Sequence, residues 1–177
     1  MSNLTKGSFS LNLGFIRLGG ELAEDDRQCA WELYTELCTR VAVTGKRGDA
    51  ECKDFSGELF IESLNSVYGF FQEARQIMRK FPVGRIGAGH EAHLGMMINR
   101  VLADVLRPFL ERWHVKYRHW WENESNPRLM PMQRQEEFPK ITEIKSDWSS
   151  VRWLMRQLQE ELVRKYALTD VNYSDVG

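Results

Sequence analysis

The chain has 177 residues, 42% hydrophobic and 28% charged, with a net charge of −1; this length fits one domain with a sizeable core and the hydrophobic share argues against wholesale disorder. So balanced a charge excludes a general nucleic-acid or membrane binder and confines such partners to a local patch. No apolar run approaches the ~20 residues of a membrane helix.

The opening MSNLTKGSFSLNLG lacks the basic-then-apolar order of a secretory signal. Within it, Phe9, Leu11, Leu13 and Phe15 alternate with Ser8, Ser10, Asn12 and Gly14, the period of a half-buried strand. Residues 1–20 are therefore expected as an extended arm laid along the groove of a helical domain spanning 21–177. Its strand would pair with Arg40 to Thr44 (RVAVT) or with a second chain. Phe9, Leu11, Leu13 and Phe15 are the first set of candidate partner-binding residues.

The first helix is expected near Leu22 to Val43, with Ala30, Tyr34, Leu37 and Val41 on one stripe and Leu33 beside it. Glu24, Asp25 and Asp26 occupy its first turn, where the helix dipole favours them. Cys29 and Cys38 lie on or beside that stripe. With Cys52 they form no CxxC pair, and they read as reduced, packed thiols of a cytoplasmic protein.

The second helix is expected over Asp54 to Phe81, capped by Asp54 and stopped by Pro82. Phe60, Leu64, Val67, Phe71, Ala74, Met78 and Phe81 alternate steps of four and three, the seam of coiled-coil-like packing. Gly57 and Gly69 each cost up to ~1 kcal/mol of helix propensity. Burial of the seam must outweigh them, at roughly 1.5–3 kcal/mol per large side chain, and the glycines can admit a close neighbour.

PVGRIGAGHE, Pro82 to Glu91, leads into the third helix. Arg85 with the amides near Gly87 and Gly89 forms a candidate anion site. Gly84, Gly87 and Gly89 give GxxGxG, not the GxGxxG fingerprint, so a tight turn between antiparallel helices is the competing reading. His90 and His93, with Glu91 between them, form HxxH, and Glu111 to His114 is one Glu-x-x-His. A carboxylate-bridged di-metal bundle needs two of the latter and two further glutamates, so no metal or cofactor is expected.

The third helix, His90 to about Asn123, carries two stripes: Leu94, Ile98, Val101, Val105, and Leu102, Leu106, Phe109, Trp113. So wide a band implies two neighbours. Pro108 predicts a kink near Asp104. Beyond it, Arg107, Arg112, Lys116 and Arg118 against Glu111 give a local charge of +3. Trp113, Tyr117, Trp120 and Trp121 share one helical side, while Arg112 and Lys116 adjoin it. Such a mixture suits a protein interface or stacking on nucleic-acid bases; packing against Trp148 and Trp153 of the fourth helix is the third option.

Glu124 to Ile141 holds Pro127, Pro131 and Pro139 and must cross a face or an end. The fourth helix has an unbroken seam, Ile144, Trp148, Val151, Met155, Leu158 and Leu162. Arg152, Arg156, Gln159, Glu160 and Lys165 make up an expected solvated face. The other connections are short enough to impose antiparallel neighbours. The expectation is an all-α, antiparallel four-helix bundle with long heptad-seamed helices.

No G-x-S-x-G elbow or basic-flanked cysteine points to nucleophilic catalysis. The leading expectation is a non-enzymatic cytoplasmic interaction module, an adaptor, regulator or assembly subunit that binds a protein partner or itself. The alternatives are a nucleic-acid or nucleotide-binding protein using Arg107 to Trp121, and a metal-dependent enzyme using His90 and His93.

Overall fold

The computed structural model describes residues 3–12, 24–80 and 94–169. They are mostly helical, with one two-stranded hairpin. The order is β1 (Asn3–Lys6), β2 (Phe9–Asn12), α1 (Glu24–Thr39), α2 (Val41–Thr44), α3 (Phe60–Lys80) and α4 (Leu94–Arg100). A π-helical segment (Val101–Leu106), α5 (Arg107–Asn123), α6 (Pro131–Glu136) and α7 (Ile141–Tyr166) follow. Helix α1 packs on α3 and α7, and α5 packs on the same two.

Helix α7 carries the clearest apolar line. Ile144, Trp148, Val151, Met155, Leu158 and Leu162 are all fully buried. Trp148 sits among the rings of Phe55, Phe60 and Phe109. Its indole N–H donates to the Ala42 carbonyl at 2.7 Å, which removes the penalty of burying a polar atom in that core. The other side of α7 departs from expectation. Arg152 is fully buried, Lys165 is buried, Arg156 and Gln159 are half-buried, and Glu160 alone of the five is exposed. Helix α2 and the loop after it lie over this side; residue type alone does not reveal such a cover.

Helix α1 ends earlier than the pattern suggests. Arg40 leaves helical backbone (φ −117°, ψ 89°) and the chain restarts as α2, so Arg40 to Thr44 is no strand. Val41 turns outward, while Ala30, Leu33, Tyr34 and Leu37 are buried.

Helix α3 starts at Phe60, not Asp54. The Asp54 carboxylate instead accepts from the Ser56 amide at 2.8 Å and from Lys46 Nζ at 3.0 Å. Gly57 follows with φ +73°, a left-handed turn that breaks any helix there. The cap comes from far away: Gln135 Oε1 accepts from the Phe60 amide at 2.9 Å, and Gln135 Nε2 donates to the Glu58 carbonyl at 3.0 Å. The buried line runs Phe60, Leu64, Val67, Phe70, Ala74 and Ile77, with Phe71 and Met78 half-buried beside it. It shifts because α3 faces both α1 and α5. Gly69 faces the Arg40 guanidinium, 3.2 Å from where a Cβ would sit; it admits an arginine rather than a helix.

Both expected stripes of the third long segment are buried. The disturbance from Pro108 takes the form of the π segment: the Arg107 amide donates to the Leu102 carbonyl five residues back. The wider turn makes room for a residue that cannot donate.

The N-terminal strand pattern finds its partner within the arm. β1 and β2 pair antiparallel, Leu4 opposite Leu11 and Lys6 opposite Phe9. Gly7, at φ +58°, opens the two-residue turn. A Cβ there would lie 2.5 Å from Ser150 Oγ, so a side chain at this position would also have to displace the Ser150 hydroxyl on α7. Phe9 and Leu11 are buried; Leu13 and Phe15 lie outside the described residues. The long connection holds α6, whose Gln135 is buried, and then Phe138, whose ring meets Trp113, Tyr117 and Trp120.

Candidate interaction site

The aromatic half of α5 is part of the core. Trp113, Tyr117 and Trp120 are 1%, 0% and 6% exposed, so their rings are not offered to a partner in this state. Trp113 Nε1 and Arg112 both donate to Asp147 Oδ2, at 2.9 and 2.8 Å. Trp121 is half-buried beneath the Arg134 guanidinium, 4.0 Å from its ring centre. Lys116 is exposed, and Arg118 donates to Asn65 Oδ1 at 2.8 Å. Phe9 packs edge-on against Phe109.

The loop with Arg85, Gly87 and Gly89 lies outside the described residues, as do His90, Glu91 and His93. Glu111 and His114 are drawn apart: Arg107 donates to Glu111 at 2.7 Å, while His114 Nε2 lies 3.3 Å from Asn65 Oδ1. Burial, with Arg118 adding to it, holds the His114 pKa below its ordinary value. Among the described residues no three His, Cys, Asp or Glu side chains gather closely enough to hold a metal ion. Cys29 and Cys52 are buried, and Gln159 Nε2 donates to the half-buried Cys38 Sγ at 3.0 Å.

Two polar constructions remain. The first lies beneath α2. Arg152 forms an ion pair with Glu58 and donates to the Ala42 and Asp54 carbonyls. Its burial pulls the pKa down, and the Glu58 carboxylate opposes that shift. Arg156 donates to the carbonyls of Thr44, Lys46 and Asp49. A cleft of 560 Å³ opens beside it, lined in part by Cys38, Val41, Gly45 and Val163. All three guanidinium nitrogens of Arg156 are committed to backbone, so this side chain fastens the loop; Arg47 and the exposed Glu160 also line the cleft.

The second construction is an open groove of 460 Å³ between α3 and the π segment. Phe71 and Met78, on α3, and Leu102 and Ala103, on the π segment, supply apolar lining. Arg75, Arg79 and Arg107 line it as well, with Asn99, and among the described residues no acidic one does. The arginines stand there for a simple reason. Arg75 and Arg79 are one turn apart on α3, and the shift of the buried line to Phe70 and Ile77 leaves Phe71 and Met78 half-open beside them. Arg75 lies over the Phe71 ring at 5.7 Å, its stem covering apolar surface. Among the described residues neither Arg75 nor Arg79 has a hydrogen-bond or ion-pair partner. In the sequence, Phe71 and Met78 are absorbed into the seam and hide this groove; the Arg75–Arg79 spacing beside them is the signal that could have exposed it.

No protein-family model, curated protein or solved structure matches this chain. No described helix is long and apolar enough to cross a membrane.

Proposed function

We propose that the protein is a non-enzymatic helical interaction module that docks another protein in the groove between α3 and the π segment. The observation carrying this reading is that groove: half-open large apolar side chains edged by Arg75 and Arg79, which have no hydrogen-bond or ion-pair partner among the described residues, and by Arg107, which pairs with the exposed Glu111. Core apolar contacts rimmed by arginine are the usual makeup of a protein-binding surface, and π-helical turns often sit at functional sites. The closed circuit of contacts among α1, α3, α5 and α7 supports an antiparallel four-helix bundle as the frame. The three unbridged cysteines favour a reducing compartment such as the cytoplasm.

The test is affinity purification from the native host with the wild-type chain and with Ala103→Trp. Ala103 is exposed on the groove wall, so tryptophan there fills the groove without entering the core. The expected result is a partner retained by the wild type and lost from Ala103→Trp. Identical retention by both chains, or by neither, refutes the reading.

A further inference from the structure

We infer that the occupant of the α3–π groove is an acidic amphipathic helix of the partner, an inference that rests on the docking site proposed above. The groove is an open surface feature rather than an enclosed cavity, which suits a helix laid on it better than a small molecule. Helix-in-groove binding uses apolar anchors at i, i+3, i+4 and i+7, and Phe71, Met78 and Leu102 offer the matching floor.

Charge sets the identity of the flanks. Arg75 and Arg79 on one wall and Arg107 on the other face the opening, with no carboxylate among the described lining residues. Arg107 is held by Glu111 in an exposed pair, so a carboxylate from a partner can replace Glu111 there. Arg75 and Arg79 are one helical turn apart, ~6 Å along the axis. They therefore match carboxylates one turn apart on the incoming helix, which each guanidinium grips through parallel N–H···O bonds. A basic helix would meet like charge on both walls. Single-stranded nucleic acid would satisfy the arginines, but it binds by stacking bases on aromatic faces. Among the described lining residues the one aromatic face, Phe71, already carries Arg75, and Met78, Leu102 and Ala103 offer no ring.

The experiment is fluorescence anisotropy on the full chain with three labelled probes. These are an amphipathic helical peptide with leucine anchors and glutamate flanks, the same peptide with lysine flanks, and a single-stranded oligodeoxythymidine. The glutamate peptide is expected to bind, to weaken steeply as salt rises, and to lose about tenfold or more in affinity in the Arg75→Glu/Arg79→Glu chain. Arg75→Gln/Arg79→Gln is expected to lose less. Circular dichroism checks that both variants keep the fold. Failure of the glutamate peptide to bind at low salt, equal binding of both peptides, or preferential binding of the oligonucleotide overturns the inference. A partner lost from Ala103→Trp but retained by Arg75→Glu/Arg79→Glu overturns the acidic chemistry alone and leaves the docking site standing. Failure of the Ala103→Trp comparison removes both.

Discussion

Arg152 and Arg156 stand one turn apart on α7, as Arg75 and Arg79 do on α3, yet the two pairs live in different solvents. The α7 pair is covered by α2 and its following loop. Its donors are spent on Glu58 and on backbone carbonyls. The α3 pair is exposed on a groove. The same spacing of the same residue thus fastens a loop in one place and leaves two exposed guanidinium groups on an open groove in the other. What separates them is whether neighbouring backbone supplies acceptors. A buried guanidinium must be fully partnered to persist, whereas an exposed one is satisfied by water until something better arrives.

This contrast can be broken most severely at Arg152. Replacing it with methionine strands the Glu58 carboxylate and takes the guanidinium from the Asp54 carbonyl, while Ala42 keeps its bond from Trp148; this should cost about 3–5 kcal/mol, a fall in melting temperature on the order of 10 °C. Adding Glu58→Leu to that variant should recover much of the loss, because the stranded charge is what costs most. A thermal melt unchanged by Arg152→Met would show that the burial of this arginine is immaterial. Gln135→Ala comes next. It leaves the Phe60 amide and the Glu58 carbonyl unpaired, an expected loss of about 1–3 kcal/mol in chemical denaturation.

A smaller and pH-dependent effect comes from groups buried as acids. Burial, with Asp26 and Glu32 adding to it, pushes the Cys29 thiol from 9.0 up to about 12. Burial likewise raises the Tyr117 and Tyr166 phenols. The unfolded chain releases these protons first, so their contribution is intact below pH 9.0 and is lost as pH climbs toward the raised values. Urea unfolding should show stability declining above pH 9.0, with a shallower decline in Cys29→Ala. Parallel declines in the two chains would remove Cys29 from the account. Last, Arg75→Ala and Arg79→Ala should each leave stability within about 0.5 kcal/mol. A loss as large as that of Arg152→Met would erase the distinction between the pairs.

Much of the helical frame is legible in the residues because α7 and the third long segment repeat apolar positions at helical spacing, and every one of those positions is buried. The failures share a cause, which is that a pattern records period but not the identity of the neighbour. The Phe9–Leu11 alternation is that of a strand, yet its partner, Asn3–Lys6, carries little apolar signal of its own. Arg152 looks like a surface residue because nothing local foretells α2 lying over it. Tyr117 and Trp120 look like a working surface until Phe138, arriving from the long connection, closes over them. The arginine groove was unreadable for the opposite reason: Phe71 and Met78 belong to a seam that the helix only partly buries.

The amide of Gln135 accepts from Phe60 and donates to the Glu58 carbonyl, as a peptide unit of an adjoining strand would. It does so across a sequence separation of 75 positions. The first turn of α3 is therefore not finished by its own stretch of chain. During synthesis it must wait until most of the molecule has emerged, and its completion marks the arrival of α6. A hydrogen bond usually made within four residues has here been given to a distant segment, which ties the ordering of an early helix to a late event in folding.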